Sequence, residues 1–276
     1  MPELPEVETI RIQLDKFLVG HKIVNVTVTH AKIFQGDKTK IVGAKIKSVR
    51  RFAKILVIDL DNKLSLAIHL KMTGQLIYRG PKLSNPPKLA SRAGGAPGKH
   101  TRVVFDLDKN GKLFFNDLRI FGWIRVVKSD FVLKLGPEPL RDLTLKKFVE
   151  ILSSTKKMIK VLLLDQSKIS GIGNIYANEA LLLAKIHPAR PANSLSKTET
   201  VYLYKAIIRV LKKGLKLKGS SETNYVTAMG DEGEYNHHFV AYSLSGKKCS
   251  QCKSGVIKRI VVGGRGTFIC PVCQKK

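Results

Sequence analysis

Cysteine is missing from the first 248 residues of this 276-residue chain, and the four present stand at 249, 252, 270 and 273. A disulfide framework needs cysteines spread through the fold, so that class is excluded and a local metal site takes its place. Acidic residues are scarce: 21 against 49 basic ones, for a net charge of +28. So large an excess favours a polyanionic partner, and the basic residues run along the whole length instead of gathering in a tail. A ribosomal or merely highly charged protein is the bland reading of the same number. No apolar run approaches the roughly 20 residues of a membrane span, which removes a membrane protein from consideration. A basic leader is lacking too, because Glu3, Glu6 and Glu8 stand where one would sit, so no secretory signal is expected. These absences point to a cytoplasmic protein bound to nucleic acid. The chain is long enough for a well-buried core in two domains, or in one domain with an appendage.

Pro5 suits the first position of a helix, with Glu6 and Glu8 in the turn where the helix dipole favours negative charge. Val7, Ile10, Leu14, Phe17 and Leu18 recur at helical spacing, and Gly20 stops the run. From Ile23 to Val127 the pattern changes to short β-branched or alternating segments: Val24 to Val28, Lys45 to Val49, Ile55 to Leu60, Leu64 to Leu70, Arg102 to Leu107, Lys112 to Phe115 and Trp123 to Val127. Turns such as Asp61-Asn62 and Asn110-Gly111 separate them, which predicts a sandwich or a barrel. Arg79 to Gly98 is rich in Pro and Gly and reads as a long, basic, mobile loop or a linker. Beyond Gly136-Pro137-Glu138-Pro139 the signals turn helical, over Leu145 to Leu152 and Lys157 to Leu164. Ser196-Lys197-Thr198-Glu199 has the form of a capping box and opens a helix running to Gly214. Gly219 to Gly246 is polar and predicts a long loop with little regular structure.

Two constellations carry chemistry. Cys249-x2-Cys252 and Cys270-x2-Cys273 enclose 17 residues, and four thiolates in that arrangement make a closed tetrahedral Zn²⁺ site in a β-hairpin. Such a site stiffens the hairpin and does no metal chemistry. The hairpin is basic, with Lys258, Arg259 and Arg265, and its Gly263-Gly264 tip is free either to approach a phosphate or simply to turn. Gly171-Ile172-Gly173-Asn174 precedes a second helical run; its N–H groups suit a phosphate, and Asn174 can cap the helix or offer its amide outward, although ordinary capping explains the same residues.

The stretch Pro2-Glu3-Leu4 has two readings. Proline there is commonly just the first turn of a helix. If Met1 is removed, however, the chain begins with a secondary amine beside a carboxylate. An α-amino group titrates at about 7.7–8.0, so much of it is a free nucleophile near neutrality, able to form an imine with a sugar aldehyde carbon.

Met1 to Thr9, Ala53 to Leu56, His69-Leu70-Lys71-Met72-Thr73-Gly74, Leu135 to Leu140, Gly171 to Glu179 and the four-Cys ribbon with Arg265 before Thr267-Phe268 occur in an order that resembles bacterial formamidopyrimidine-DNA glycosylases. The resemblance spans the chain and implies a multidomain α+β fold. It divides into an N-terminal catalytic β-sandwich with flanking helices over 1–130, a helix-two-turn-helix DNA-binding domain over 131–245 with a lesion-covering loop at about 219–242, and a zinc ribbon over 246–276. It implies one structural zinc on Cys249, Cys252, Cys270 and Cys273. The implied partner is double-stranded DNA carrying oxidised bases or abasic sites, bound by a monomer in the bacterial cytoplasm and nucleoid, with no membrane involved.

The activity implied is a bifunctional glycosylase and abasic-site lyase of base excision repair, removing formamidopyrimidine and 8-oxoguanine by a proline imine and cleaving the strand by β,δ-elimination. Pro2 matches the nucleophile, Glu3 the carboxyl that protonates the opening sugar, and Glu6 a second carboxylate that holds the terminus. Lys54 matches a strand lysine at the lesion, and Arg265 the ribbon arginine that grips the flanking phosphates and is assigned to the later elimination. Met72, Arg119 and Phe121 match the set that fills the void left by a flipped nucleotide. His100, Lys156, Lys160 and Asn174, with Arg119, match DNA contacts. The chain departs from the family at Leu118 and Ile120, commonly Pro and Arg, and in the Gly219 to Tyr242 loop. Two further functions stay open from sequence: an endonuclease-VIII-like glycosylase for oxidised pyrimidines, and a non-catalytic binder of damaged DNA.

Overall fold

Glu3 takes an extended conformation and its N–H donates to the Glu6 carboxylate at 2.8 Å, so helix α1 (Leu4–Leu18) starts where proline and the acidic turn place it. A computed structural model of the protein describes residues 1–131 and 134–276. It divides into two compact units, Met1–Leu133 with Leu215–Asn236, and Lys134–Gly214 with His237–Lys276.

In the first unit, α1 is followed by β1 (Ile23–Val28), β2 (Phe34–Gln35), β3 (Ile46–Phe52), β4 (Ile55–Leu60), β5 (Leu64–His69), β6 (Gly74–Arg79), β7 (Thr101–Leu107), β8 (Lys112–Asp117) and β9 (Trp123–Lys128). They form a four-stranded sheet in the order β1-β7-β8-β6 and a five-stranded sheet in the order β2-β9-β5-β4-β3; all pairs are antiparallel except β2 with β9. One apolar cluster joins Leu14 and Phe17 of α1 to Phe105 and Phe115 of the first sheet and to Ile58, Leu66 and Ile68 of the second. The architecture is therefore a β-sandwich with a helix, the first of the two folds that the alternating pattern allowed.

Two strands escaped the sequence pattern. β2 is only two residues long, and β6 (GQLIYR) is buried at its first five positions, so it shows no alternation beside the Pro- and Gly-rich stretch. β6 is the sheet edge, and Tyr78 N–H donates to Ala228 O at 2.9 Å, so the segment from Leu215 to Asn236 covers it. That segment lies within the sequence range 131–245 yet packs with the N-terminal unit. Of Arg79 to Gly98, expected as a mobile loop or a linker, Arg79 ends β6, and residues 80–98 contain no regular element but make hydrogen bonds at Ala90, Arg92, Gly94 and Gly95.

The second unit carries α2 (Leu145–Ser153), α3 (Ile159–Leu164), α4 (Asn174–Leu183), most of α5 (Lys197–Lys216), and a hairpin of β10 (Lys258–Val262) and β11 (Arg265–Ile269). The capping box forms: Ser196 Oγ accepts from Glu199 N–H at 3.2 Å and the Glu199 carboxylate accepts from Ser196 N–H at 2.8 Å. Helix α5 runs two residues past Gly214, whose missing side chain leaves room for Tyr176; a Cβ there would lie 2.4 Å from the phenol oxygen. Helix α4 is buried almost all round and turns its polar residues inward. Glu179 accepts from the N–H groups of Val240, Ala241 and Tyr242, and Asn178 Oδ1 from Phe268 N–H at 2.8 Å. The chain leading into the ribbon is thereby hung on one helix. Among the described residues no helix is long and apolar enough to cross a membrane.

Candidate active site and nucleic-acid interface

The amino terminus lies in a pocket of ionisable side chains. Pro2, Glu3, Glu6 and Lys54 are all buried, the last three only 3%, 1% and 6% exposed. Glu6 works in two directions: one oxygen accepts from Glu3 N–H and the other from Ser220 N–H, both at 2.8 Å. One carboxylate thus fixes the terminal segment and the start of the covering segment together. Gly219 makes this approach possible, since its φ of +82° suits glycine and a Cβ would lie 2.8 Å from the Glu6 carboxylate. Ser220 Oγ is buried with no partner among the described residues.

The α-amino group, carried by Met1, is held below its ordinary 8.0, chiefly by burial. Glu3 and Glu6 push in the opposite direction, and Lys54 adds to the fall. Lys54 reaches the site from a two-residue turn between β3 and β4, where Ala53 takes φ +52°. Arg51 braces that turn through Ala53 O at 2.8 Å while its Nε donates to Glu8 at 2.6 Å. His69 is pushed down to about 3 by burial, then by Lys71 and Lys54. Its ring is therefore neutral, and because Nδ1 accepts from Lys71 N–H at 2.9 Å, the proton sits on Nε2. The sequence reading gave Ser220 and His69 no role. His69 stood inside a quoted motif, whereas Ser220 is 214 residues from its partner and gave no local signal.

A second cluster is formed by two neighbouring turns. Met72, between β5 and β6, is 40% exposed, and Phe121, between β8 and β9, is 49% exposed. Side chains that composition alone assigns to a core stand out into solvent. Buried Asp117 explains why: it accepts from Thr73 Oγ, from Gly122 N–H at 2.7 Å and from Arg119 N–H at 3.2 Å, so it ties the turns together. The exposed Arg119 guanidinium lies 4.6 Å from the Phe121 ring centre. Ile120 takes φ +59°, costly for a β-branched residue, and the arrangement turns Phe121 outward. His100 is half-buried and precedes β7.

In the second unit Lys156 and Arg265 are exposed, the latter at the first position of β11 beside the Gly263-Gly264 turn. Two sequence expectations need correction. Lys160 is fully buried and cannot reach a phosphate; its Nζ donates to Gly266 O at 3.0 Å and Thr267 Oγ at 2.7 Å, fastening α3 to the ribbon. Asn174 is not a cap: Gly173 occupies that position, and the Asn174 amide donates to the same Gly266 carbonyl at 3.1 Å. The polarity of Lys160 and Asn174 was legible, but their partners lie about 100 residues away.

The four cysteines gather as the spacing requires. Their sulfurs all lie within 4.8 Å of one another, with 3.8 Å between Cys249 and Cys273 and 3.7 Å between Cys252 and Cys270. Tetrahedral coordination at about 2.3 Å from zinc puts sulfurs about 3.8 Å apart, so the donor set fits one Zn²⁺ with no open position. Gln251 and Gly255 N–H groups point at Cys249 and Cys252 Sγ, as suits thiolates. Gln274, missed in the sequence, accepts from Cys270 N–H and donates to Ile186 O, anchoring the ribbon's end.

Comparison with known proteins matches these parts in order. Residues 1–124 match the formamidopyrimidine-DNA glycosylase N-terminal domain, 135–226 its H2TH domain, and 246–276 the zinc finger found in FPG and IleRS. A formamidopyrimidine-DNA glycosylase of Herpetosiphon aurantiacus is 43% identical over 99% of this chain and 100% of its own length, and one of Lactococcus lactis is 38% identical over 100% of each. The Lactococcus lactis Fpg (MutM) solved with DNA containing N7-benzyl-Fapy-dG superposes with a TM-score of 0.87 at 36% identity, covering 100% of each chain. The same enzyme with DNA containing an oxidised pyrimidine gives 0.86. With all three parts matched and full-length relatives at this identity, the chain belongs to the formamidopyrimidine-DNA glycosylase family.

Proposed function

We propose that this enzyme excises oxidised purines from double-stranded DNA and then cleaves the abasic strand, using the secondary amine of Pro2 after loss of Met1. The observation that carries this reading is the burial of Pro2 at the chain start together with Glu3, Glu6 and Lys54, where burial also lowers the pKa of the preceding α-amino group. An amine whose pKa is lowered spends more of its time as the free nucleophile, and a carboxyl beside it can hand over a proton. Attack by the Pro2 nitrogen on C1′ breaks the glycosidic bond and the base departs with its electron pair. Glu3 protonates the ring oxygen as the sugar opens to an iminium. That cation acidifies the C2′ proton, so removal of it expels the 3′ phosphate; a second elimination expels the 5′ phosphate and leaves a one-nucleotide gap. Glu6 holds the terminus, Lys54 assists at the lesion, and Arg265 grips the flanking phosphates and serves the later elimination.

Met72, Arg119 and Phe121 occupy the space of the everted nucleotide: a soft wedge, a donor to the orphaned base and a stacking ring. His100, Lys156 and Asn174 position the backbone without reading sequence. Zinc, where bound, supplies rigidity to the hairpin that presents Arg265. The division of labour is a catalytic sandwich, a helix-two-turn-helix module and a ribbon, working as a monomer on bacterial nucleoid DNA in the cytoplasm.

A second reading, preference for oxidised pyrimidines, draws on the relative solved with such DNA. A panel of duplexes holding one 8-oxoguanine, formamidopyrimidine, thymine glycol or abasic site separates the two. Protein lacking Met1 should release the purine lesions fastest and nick every productive duplex at both phosphates. Faster turnover of thymine glycol overturns the purine preference, and no release or nicking of any duplex overturns the enzyme reading.

A further inference from the structure

Arg92 lies in the irregular stretch between β6 and β7, and its guanidinium converges on three points of the covering segment. It donates to Ser221 O, to Thr223 O at 2.7 Å and to the Glu232 carboxylate at 2.7 Å. Beneath it, Gln75 of β6 uses its amide nitrogen on Arg92 O at 2.9 Å and Asn224 O at 2.6 Å, and its amide oxygen accepts from Gly94 N–H at 2.9 Å. Two more ties extend the seam, from Ala90 N–H to Gly230 O and from Arg79 to Met229 O, each 2.9 Å. Every polar group of the Gln75 side chain and two nitrogens of the Arg92 guanidinium are therefore engaged in joining two loops to one strand.

The place of this joint gives it a task. Ser221, held by Arg92, directly follows Ser220, whose N–H is held by Glu6 beside the amino terminus. At its other end Gln75 stands three residues from the exposed wedge Met72. Around Gln75 and Arg92 opens a cleft of about 320 Å³, lined also by Thr73, His100, Asn116 and Asn224. Thr73, which directly follows Met72, lines this cleft, so the cleft opens beside the wedge.

We propose that Arg92, supported by Gln75, is a specificity-positioning residue: it fixes the 219–232 segment as a wall of the pocket for the everted base before the lesion arrives. The proposal rests on the glycosylase reading above. Pre-ordering removes the cost of closing a loose loop around each base. It follows that the joint matters when a base is present and is idle when the site holds an abasic sugar.

The test compares single-turnover cleavage of an 8-oxoguanine duplex with that of an abasic duplex by Met1-free enzyme. Arg92→Ala should slow the base-bearing duplex by about tenfold to a hundredfold, the loss expected for charge-assisted hydrogen bonds, and leave abasic cleavage within about twofold. Glu232→Gln, which keeps both carbonyl contacts, should shift the same ratio by about threefold or less. Equal losses on both duplexes, or no loss on either, overturn the proposal, and a cooperative thermal unfolding transition retained by Arg92→Ala guards against misfolding. If the unmodified enzyme cleaves neither duplex, it is the glycosylase reading that fails.

Discussion

At the scale of single residues, environment decides what each group can do. The amino terminus is the clearest instance, because burial and Lys54 lower its pKa against the pull of Glu3 and Glu6. Imine formation needs the unprotonated amine, so its rate should rise with pH through the amine's pKa and then level. Pro2 is buried beside the same groups, so after loss of Met1 burial should depress its amine too, and levelling should come below the ordinary 7.7–8.0. A borohydride-trapping rate that still climbs through pH 8 contradicts the buried amine. Phe121 makes the opposite case, an aromatic ring that packing leaves half in water. Phe121→Ala should change stability by no more than about 0.5 kcal/mol. It should weaken binding to a lesion duplex by about 1–3 kcal/mol, a stacking loss read by titration calorimetry. A large fall in melting temperature would return Phe121 to the core.

At the scale of elements, what was legible followed from local chemistry. The Ser196–Glu199 box, the start of α1 and the cysteine hairpin each depend on residues within a few positions, so propensity and spacing reveal them. Strand β6 was hidden because both its faces are buried, which erases the alternation that marks a strand. Lys160 shows where a match by resemblance and the structure part: the resemblance set it among the DNA contacts, while its buried Nζ has its partners on the ribbon. Lys160→Met should therefore cost about 1–3 kcal/mol of stability by leaving buried acceptors short of a donor. Lys156→Ala, at an exposed site, should leave stability alone and reduce the slope of log K for DNA against log salt by about 0.9. A change of slope without a change of melting temperature in Lys160→Met would reverse that assignment.

At the scale of the whole molecule, the excess of 28 positive charges gave the substrate class, and separated motifs gave the family. Neither could give the joints. Glu6 with Ser220, Gln75 with Asn224 and Asn174 with Gly266 unite positions 214, 149 and 92 residues apart, and nothing local distinguishes them from solvated polar residues. The central claim is nevertheless a local one, that the bond to DNA forms at the second residue. It is tested most directly by reducing the enzyme with borohydride on abasic-site DNA, digesting the adduct and locating the sugar by mass spectrometry. The predicted result is a peptide beginning at Pro2 with the sugar remnant on its amine. An adduct carried by Lys54, or none from protein verified to lack Met1, would contradict it.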